Sequence, residues 1–280
     1  MKNTAVTFMK MKQDGVRITE LTAYDYTMAQ LVEKAGINAI LVGDSLGNTM
    51  LGYSSTIPVT MDEMVHHCKA VSRAVSDTMV IMDMPFMSYQ GSVYDAVMNA
   101  GRLMKEGGGQ AVKFEGGAAV AEQIRACTES GIPVQAHLGL TPQSVNAFGG
   151  HKVQGKGEEA ARKLLEDAFI VQEAGAFSVV LECVPPKLAA LISKKLTIPT
   201  IGIGAGAGCD GQVLVIQDML GMGDFKPKFV KRFAEIGDEM VRAIQDYRDE
   251  VVAGTFPAVE HSYVKSDCSD EYLAQLDKEY

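Results

Sequence analysis

No apolar run in this chain approaches the roughly 18–20 residues that a membrane span needs. The N-terminal MKNTAVTFMKMKQDG carries basic residues but no uninterrupted apolar stretch of signal-peptide length. A soluble, intracellular protein is expected. No basic cluster offsets the net charge of -9, so neither nucleic acid nor an anionic membrane is an expected partner. CxxC is absent. The five cysteines (Cys68, Cys127, Cys183, Cys209, Cys268) are odd in number and widely spaced, which argues against a disulfide framework and against a thiolate metal site. No Pro/Gly/Ser-rich linker divides the 280 residues, a length that suits one α/β barrel or two ordinary domains.

What is present is an alternation. Short runs rich in Val, Ile and Leu alternate with longer amphipathic segments from Arg17 to about Glu250, the pattern of repeated βα units around a buried parallel sheet. Strands are expected near 18–24, 37–43, 79–83, 110–115, 132–137, 177–182, 199–204 and 213–217, the first and last weakly marked. Helices are expected over 26–35, 92–106, 118–130, 158–174, 185–195 and 227–250, and one more after Thr60, where Thr60 and Glu63 form a capping box. Eight strands without a break favour a single (β/α)8 TIM barrel over a doubly wound sheet with a second domain. The expected division is a barrel over 1–263 and an acidic tail over 264–280, whose pattern supports at most a short helix.

Six ionisable side chains stand at the ends of five consecutive runs: Asp44, Asp83, Lys113 with Glu115, His137 and Glu182. One such carboxylate is ordinary turn or capping chemistry. Five strand ends in succession place charges at one end of one sheet, the end where barrels carry their active sites. Asp44 and Asp83 can supply hard oxygen ligands to a magnesium-like ion, leaving room for water and substrate. The period of two along a strand puts Lys113 and Glu115 on one face, so Glu115 becomes a third ligand, direct or through water. Lys113 suits a substrate carboxylate, or, if neutral, Schiff-base formation; a ring of carboxylates favours the charged form. His137 reads either as a substrate contact or as a hydrogen-bonded barrel residue. Glu182, partly shielded and not coordinated, has the character of a general base or of a salt-bridge partner.

Two glycine-rich segments complete the inventory. GIGAGAG at 202–208 lies where barrels often bind phosphate but lacks the P-loop Lys-Ser/Thr, so close backbone packing explains it as well. FGGHKVQGKG at 148–157 reads as a loop or lid.

Several segments carry a resemblance: TAYDYTMAQLVEKAG, ILVGDSLGNTMLGYSSTIPVTMDEM, DMPFMSYQ, VKFEGG, HLGLTPQSVNAFGGHKVQGKG, LECVP and IGIGAGAGCDGQVLVIQDMLG. Over nearly all of residues 4–263 the chain resembles the ketopantoate hydroxymethyltransferase family. The resemblance implies a barrel of the phosphoenolpyruvate/pyruvate type, dependence on Mg2+, and 5,10-methylenetetrahydrofolate as one-carbon donor. It also implies a cytoplasmic homodecamer built as a pentamer of dimers. Carried over, it makes Asp44 and Asp83 the metal ligands, with Glu115 as an outer or variable third. It gives keto-acid contacts at Asp44, Ser45, Asp83 and Lys113, and the catalytic base at Glu182. The implied reaction is hydroxymethyl transfer to 3-methyl-2-oxobutanoate, giving 2-dehydropantoate for pantothenate biosynthesis. The alternatives are a magnesium-dependent C–C lyase acting on another 2-keto acid, and a non-catalytic sensor of keto acid or folate.

Overall fold

The N-terminal segment is not slack. In the computed structural model, which describes residues 2–280, Ala5–Gln13 forms a helix (α1) that no expected element covers. Thr4 caps it through a reciprocal box with Thr7. Its one buried side chain, Phe8, packs edge-on against Phe177, which precedes the sixth strand, and joins a core cluster with Ile18, Met79 and Ala111. These residues lie at the starts of their strands. The helix therefore seals the N-terminal end of the sheet.

Eight parallel strands close into one barrel in sequence order: β1 Ile18–Thr22, β2 Ala39–Val42, β3 Met79–Asp83, β4 Ala111–Glu115, β5 Val134–Gly139, β6 Ser178–Glu182, β7 Thr200–Ile203 and β8 Gly211–Leu214. This is the expected (β/α)8 class. Helices Tyr26–Lys34 (α2), Met61–Ala74 (α3), Val93–Arg102 (α4), Ala121–Glu129 (α5), Glu158–Glu173 (α6) and Pro186–Lys195 (α7) follow successive strands from β1 to β6. The Thr60–Glu63 capping box is present, and Met64, Val65, Cys68 and Val71 are the buried residues of α3. At the GIGAGAG segment, a Cβ on Gly208 would lie 2.6 Å from Ala190 Cβ, so glycine there permits close packing on α7. Each of the five cysteines is free.

Two elements differ from expectation. The eighth strand is Gly211–Leu214, and Ile216–Met219 already forms a helical turn, so the strand begins and ends earlier than 213–217. Outward positions Thr19 of β1 and Gln212 of β8 are exposed, whereas the other strands are buried on both faces except at the ends of β5 and β6. Loss of the continuous apolar run accounts for the weak signal of the first and last strands. The second difference is the segment 227–250, of which only the part from Ile236 onward is helical. Phe229 packs instead against Gly204 and the barrel core, and that contact overrides the local helical pattern.

The barrel belongs to a compact unit of residues up to Met219 together with Phe225–Lys231. A second unit comprises Leu220–Asp224 and Arg232–Tyr280 and contains helices Ile236–Ala253 (α8) and Asp270–Glu279 (α9). Neither helix has a buried residue. No helix among the described residues is long and apolar enough to cross a membrane.

Inside the barrel, one group of buried polar side chains is joined across the lumen. Gln135 Nε2 of β5 lies 3.1 Å from Glu20 Oε2 of β1 and 3.1 Å from Ser178 Oγ of β6. Glu20 Oε1 and Gln135 Oε1 have no hydrogen-bond partner among the described residues. Burial raises the Glu20 carboxyl from 4.5 to about 7, against the opposing pull of the Gln135 hydrogen bond and of Lys113. Its folded value lies above its unfolded one, so its stabilising contribution is intact below about pH 4.5 and is lost as the pH rises through about 7. Glu20→Gln should therefore be more stable than the parent above neutrality, by roughly 1–3 kcal/mol, with the advantage fading toward acid pH. Urea unfolding of both proteins at pH 5 and pH 8 checks this; equal pH dependence would contradict it.

Candidate active site

Register decides which of the strand-end groups meet. Pairing of β3 with β4 sets Asp83 beside Lys113, pairing of β4 with β5 sets Glu115 beside His137, and pairing of β5 with β6 sets Gly139 beside Glu182. The residue opposite Glu182 has to be small. A Cβ at Gly139, whose φ is +93°, would come within 2.2 Å of the Glu182 carbonyl oxygen. Cys183 next turns the chain with φ 50°, a left-handed conformation that costs a non-glycine residue energy and here ends the strand immediately after Glu182. Met87, in the loop after β3, has a similarly left-handed φ of 62°.

Lys113 Nζ lies 2.7 Å from Asp83 Oδ1, 3.2 Å from His137 Nδ1 and 3.9 Å from Glu115 Oε1. Asp44 N donates to Asp83 Oδ2 over 2.9 Å, which ties the end of β2 to the end of β3. Asp44, Asp83, Lys113, Glu115 and His137 are all buried, while the Glu182 side chain retains 15% exposure. Ser45, half-buried, shares a 2.8 Å hydrogen bond with Tyr24 Oη. The structure thus brings every sequence-expected site residue to one mouth of the barrel.

Burial raises Asp44 well above the ordinary carboxyl range, and the neighbouring Asp83 and Glu115 charges add to the effect. Asp83 is also raised by burial, although Lys113 opposes the shift. Glu115 goes the other way: burial is outweighed by His137 and Lys113, and its carboxyl is held low. Lys113 is raised because Asp83, Glu115 and Asp44 together overcome the cost of burying an ammonium. It is a fixed cation. Of the three buried carboxylates at the barrel mouth, Asp44 alone has no cation within ion-pair distance among the described residues.

His137 stands between two carboxylates, with Nδ1 3.4 Å from Glu115 Oε1 and Nε2 3.3 Å from Glu182 Oε2. The Nε2 contact has the length of an ion pair without the alignment of a hydrogen bond. Burial and Lys113 oppose protonation of the ring, but Glu115 and Glu182 prevail and carry it to about 9. Nδ1 either accepts from the ammonium or, in the charged ring, faces the Glu115 carboxylate. In both states Nε2 carries a hydrogen, and Nε2 is the ring nitrogen nearer Glu182.

Gln143, Tyr89 and Gln90 belong to the site without any signal in the ionisable pattern. Gln143 Nε2 donates to Asp44 Oδ2 (2.9 Å) and to the Met84 carbonyl (2.9 Å), and its main-chain N donates to Glu115 Oε2 (3.0 Å). Tyr89 Oη and Gln90 Nε2 approach Gln143 Oε1 at 2.9 and 3.0 Å. After β5 the structure has a 3-10 turn over Pro142–Ser144 and one α turn over Val145–Phe148, with no cap from the Thr141 side chain. That tight turn delivers Gln143 back over the barrel mouth.

The sequence profile of the ketopantoate hydroxymethyltransferase family matches residues 2–259. The chain belongs to the ketopantoate hydroxymethyltransferase family. A protein of Clostridium novyi (strain NT) named 3-methyl-2-oxobutanoate hydroxymethyltransferase is 64% identical over 264 residues, covering 94% of this chain and 96% of its own length. One of the same name from Enterococcus faecalis (strain ATCC 700802 / V583) is 61% identical over 268 residues, covering 95% and 98%. In three dimensions the chain resembles phosphonopyruvate hydrolase, with TM-score 0.60 and 12% identity over 99% of this chain and 95% of that one. It also resembles 2,3-dimethylmalate lyase, described as a PEP mutase/isocitrate lyase superfamily member, with TM-score 0.59 and 15% identity over 100% and 94%. Likeness at such identities shows the fold alone, a (β/α)8 barrel.

Within this family member's site, Lys113 is the charge on which burial of the carboxylates rests. Lys113→Met should cost about 3–5 kcal/mol of stability at neutral pH, since it strands buried carboxylates without their cation. The deficit should shrink as the pH falls, because protonation neutralises the same groups. Thermal unfolding across acid and neutral pH measures it; a deficit independent of pH would contradict the charge argument.

Proposed function

We propose that the chain transfers a hydroxymethyl group from 5,10-methylenetetrahydrofolate to 3-methyl-2-oxobutanoate, giving 2-dehydropantoate in pantothenate biosynthesis. The observation that carries this reading is the division of one barrel mouth into two halves: an acidic half at Asp44 and Asp83, and a proton-transfer half at His137 and Glu182, with Lys113 between them. Family membership supplies the reaction.

The acidic half fits a magnesium ion. Among the described residues no group of three or more His, Cys, Asp or Glu side chains forms a ready metal cluster. Magnesium suits a sparser set, because it keeps several waters and takes one or two carboxylates plus oxygens of the substrate. Asp44 is buried without a cation, and Asp83 Oδ1 has no well-formed hydrogen bond, its partner being the Lys113 ammonium. Asp44 and Asp83 would hold the ion; Glu115, with one oxygen taken by Gln143 N and the other facing His137, would act through water. Bound there, the ion supplies Lewis-acid polarisation of the keto carbonyl.

The remaining steps belong to the side chains. Lys113, a fixed cation, and Ser45 receive the keto-acid head group, and a lysine so firmly charged is unsuited to Schiff-base chemistry. Glu182 removes the proton from C3. His137, whose Nε2 is the ring nitrogen nearer Glu182 Oε2, is better read as the group that holds this carboxylate in place than as a substrate contact; the other oxygen is left for the proton. Water adds to the folate-derived iminium, the remaining carbon–nitrogen bond breaks to release tetrahydrofolate, and C3 attacks the freed one-carbon unit, whose oxygen takes up a proton to become the hydroxyl group. The family resemblance also carries the expectation of a cytoplasmic homodecamer, a pentamer of dimers, with a catalytic barrel over 1–263 and an acidic tail beyond it.

Glu182→Gln should bind keto acid and metal yet exchange the C3 hydrogen with deuterated water about 100- to 10,000-fold more slowly. Near-normal exchange in this variant, followed by proton NMR, would remove Glu182 from the role of base. Product formation that does not depend on methylenetetrahydrofolate would instead favour a C–C lyase acting on another 2-keto acid.

A further inference from the structure

We propose that Gln143 is a positioning residue that sets the metal affinity of the site by fixing the rotation of the Asp44 carboxylate. The proposal rests on the reading of Asp44 and Asp83 as magnesium ligands.

Gln143 is buried, and its side-chain amide has all four of its hydrogen-bonding positions occupied. That occupancy fixes which end of the amide points where. Met84 O can only accept, so the NH2 group has to face it; the second hydrogen of that group then falls on Asp44 Oδ2. Turned over, the amide would set its oxygen against a carbonyl and a carboxylate at once. Tyr89 Oη and Gln90 Nε2, from the loop after β3, hold the opposite end through Oε1. Asp44 Oδ2 is thereby capped, and among the described residues no hydrogen bond is made to Asp44 Oδ1. One oxygen is tied to the scaffold and the other is kept for the ion.

The main chain of the same residue does a separate task. Gln143 N holds Glu115 Oε2, which leaves Oε1 toward His137 and Lys113. A side-chain substitution therefore changes the support of Asp44 while sparing that of Glu115. The two effects are separable because they come from different atoms of one residue. Partners that orient a metal-binding carboxylate from behind typically influence affinity by about 10- to 100-fold.

The test uses Mn2+ as the probe, titrated into the full-length protein and followed by electron paramagnetic resonance. Gln143→Met, close in volume but without donors, should bind Mn2+ about 10- to 100-fold more weakly, while the His137 ring resonances in NMR keep their positions. Turnover should recover toward the parent kcat when Mg2+ is raised, so that the defect lies in the metal concentration needed. Gln143→Asn, whose amide is too short to span Asp44 and Met84, is the second variant should the methionine protein not fold, with the same direction expected. Asp44→Asn is the control for the underlying reading. Undiminished Mn2+ binding by Asp44→Asn overturns the metal assignment and the proposal with it. Loss in Asp44→Asn alongside parental binding in the folded Gln143 variant overturns the proposal alone.

Discussion

The Lys113 ammonium, 2.7 Å from Asp83 and 3.9 Å from Glu115, is the contact on which the barrel mouth depends. A buried carboxylate is costly unless something positive or hydrogen-bonding answers it. Lys113 answers two of the three, His137 adds to the compensation at Glu115, and Asp44 is left with an amide donor and no cation. This imbalance is the feature of the folded chain that supports the proposed divalent-ion site in the acidic half. The same ammonium cannot serve as a nucleophile, because the carboxylates that need its charge also keep it protonated.

Register converts this charge arithmetic into geometry. The pairs Asp83 with Lys113, Glu115 with His137 and Gly139 with Glu182 are neighbours in the sheet, so the groups follow one another around the rim. Backbone strain is placed beside them, at Met87 and Cys183, where the chain leaves β3 and β6. The turn after β5 crosses back over the rim, and there a neutral residue, Gln143, links the ends of β2, β3 and β4. Beneath this layer the lumen holds Glu20, Gln135 and Ser178, a polar group that, among the described residues, shares no side-chain hydrogen bond with the layer above.

Much of the fold is legible in the chain because strands buried on both faces read as largely apolar runs, and β2 to β7 do so apart from the polar groups of the site and lumen. β1 and β8 do not, since Thr19 and Gln212 face outward to solvent, and their boundaries were correspondingly hard to read. Helix α1 carries little apolar signal because it buries only Phe8, and the helical pattern before α8 yields to the packing of Phe229. The ionisable members of the site are legible for a simple reason: a charge at the end of an apolar run has few structural excuses when it recurs. Gln143 and Tyr89 offered no such contrast. An uncharged polar residue in a loop is ordinary, and only its partners make it otherwise.

The sequence by itself determined the barrel and the set of charged side chains at one end of it, because apolar periodicity and covalent order fix which residues terminate which strands. Family membership likewise follows from the chain alone. Tertiary structure decided the pairing: which carboxylate Lys113 neutralises, that His137 reaches Glu182 on one side and Glu115 on the other, and that Asp44 is supported by an amide. Those relations arise from strand register and from a turn that folds back over the rim. Both bring together residues far apart in the chain, over distances at which no local pattern in the sequence constrains them.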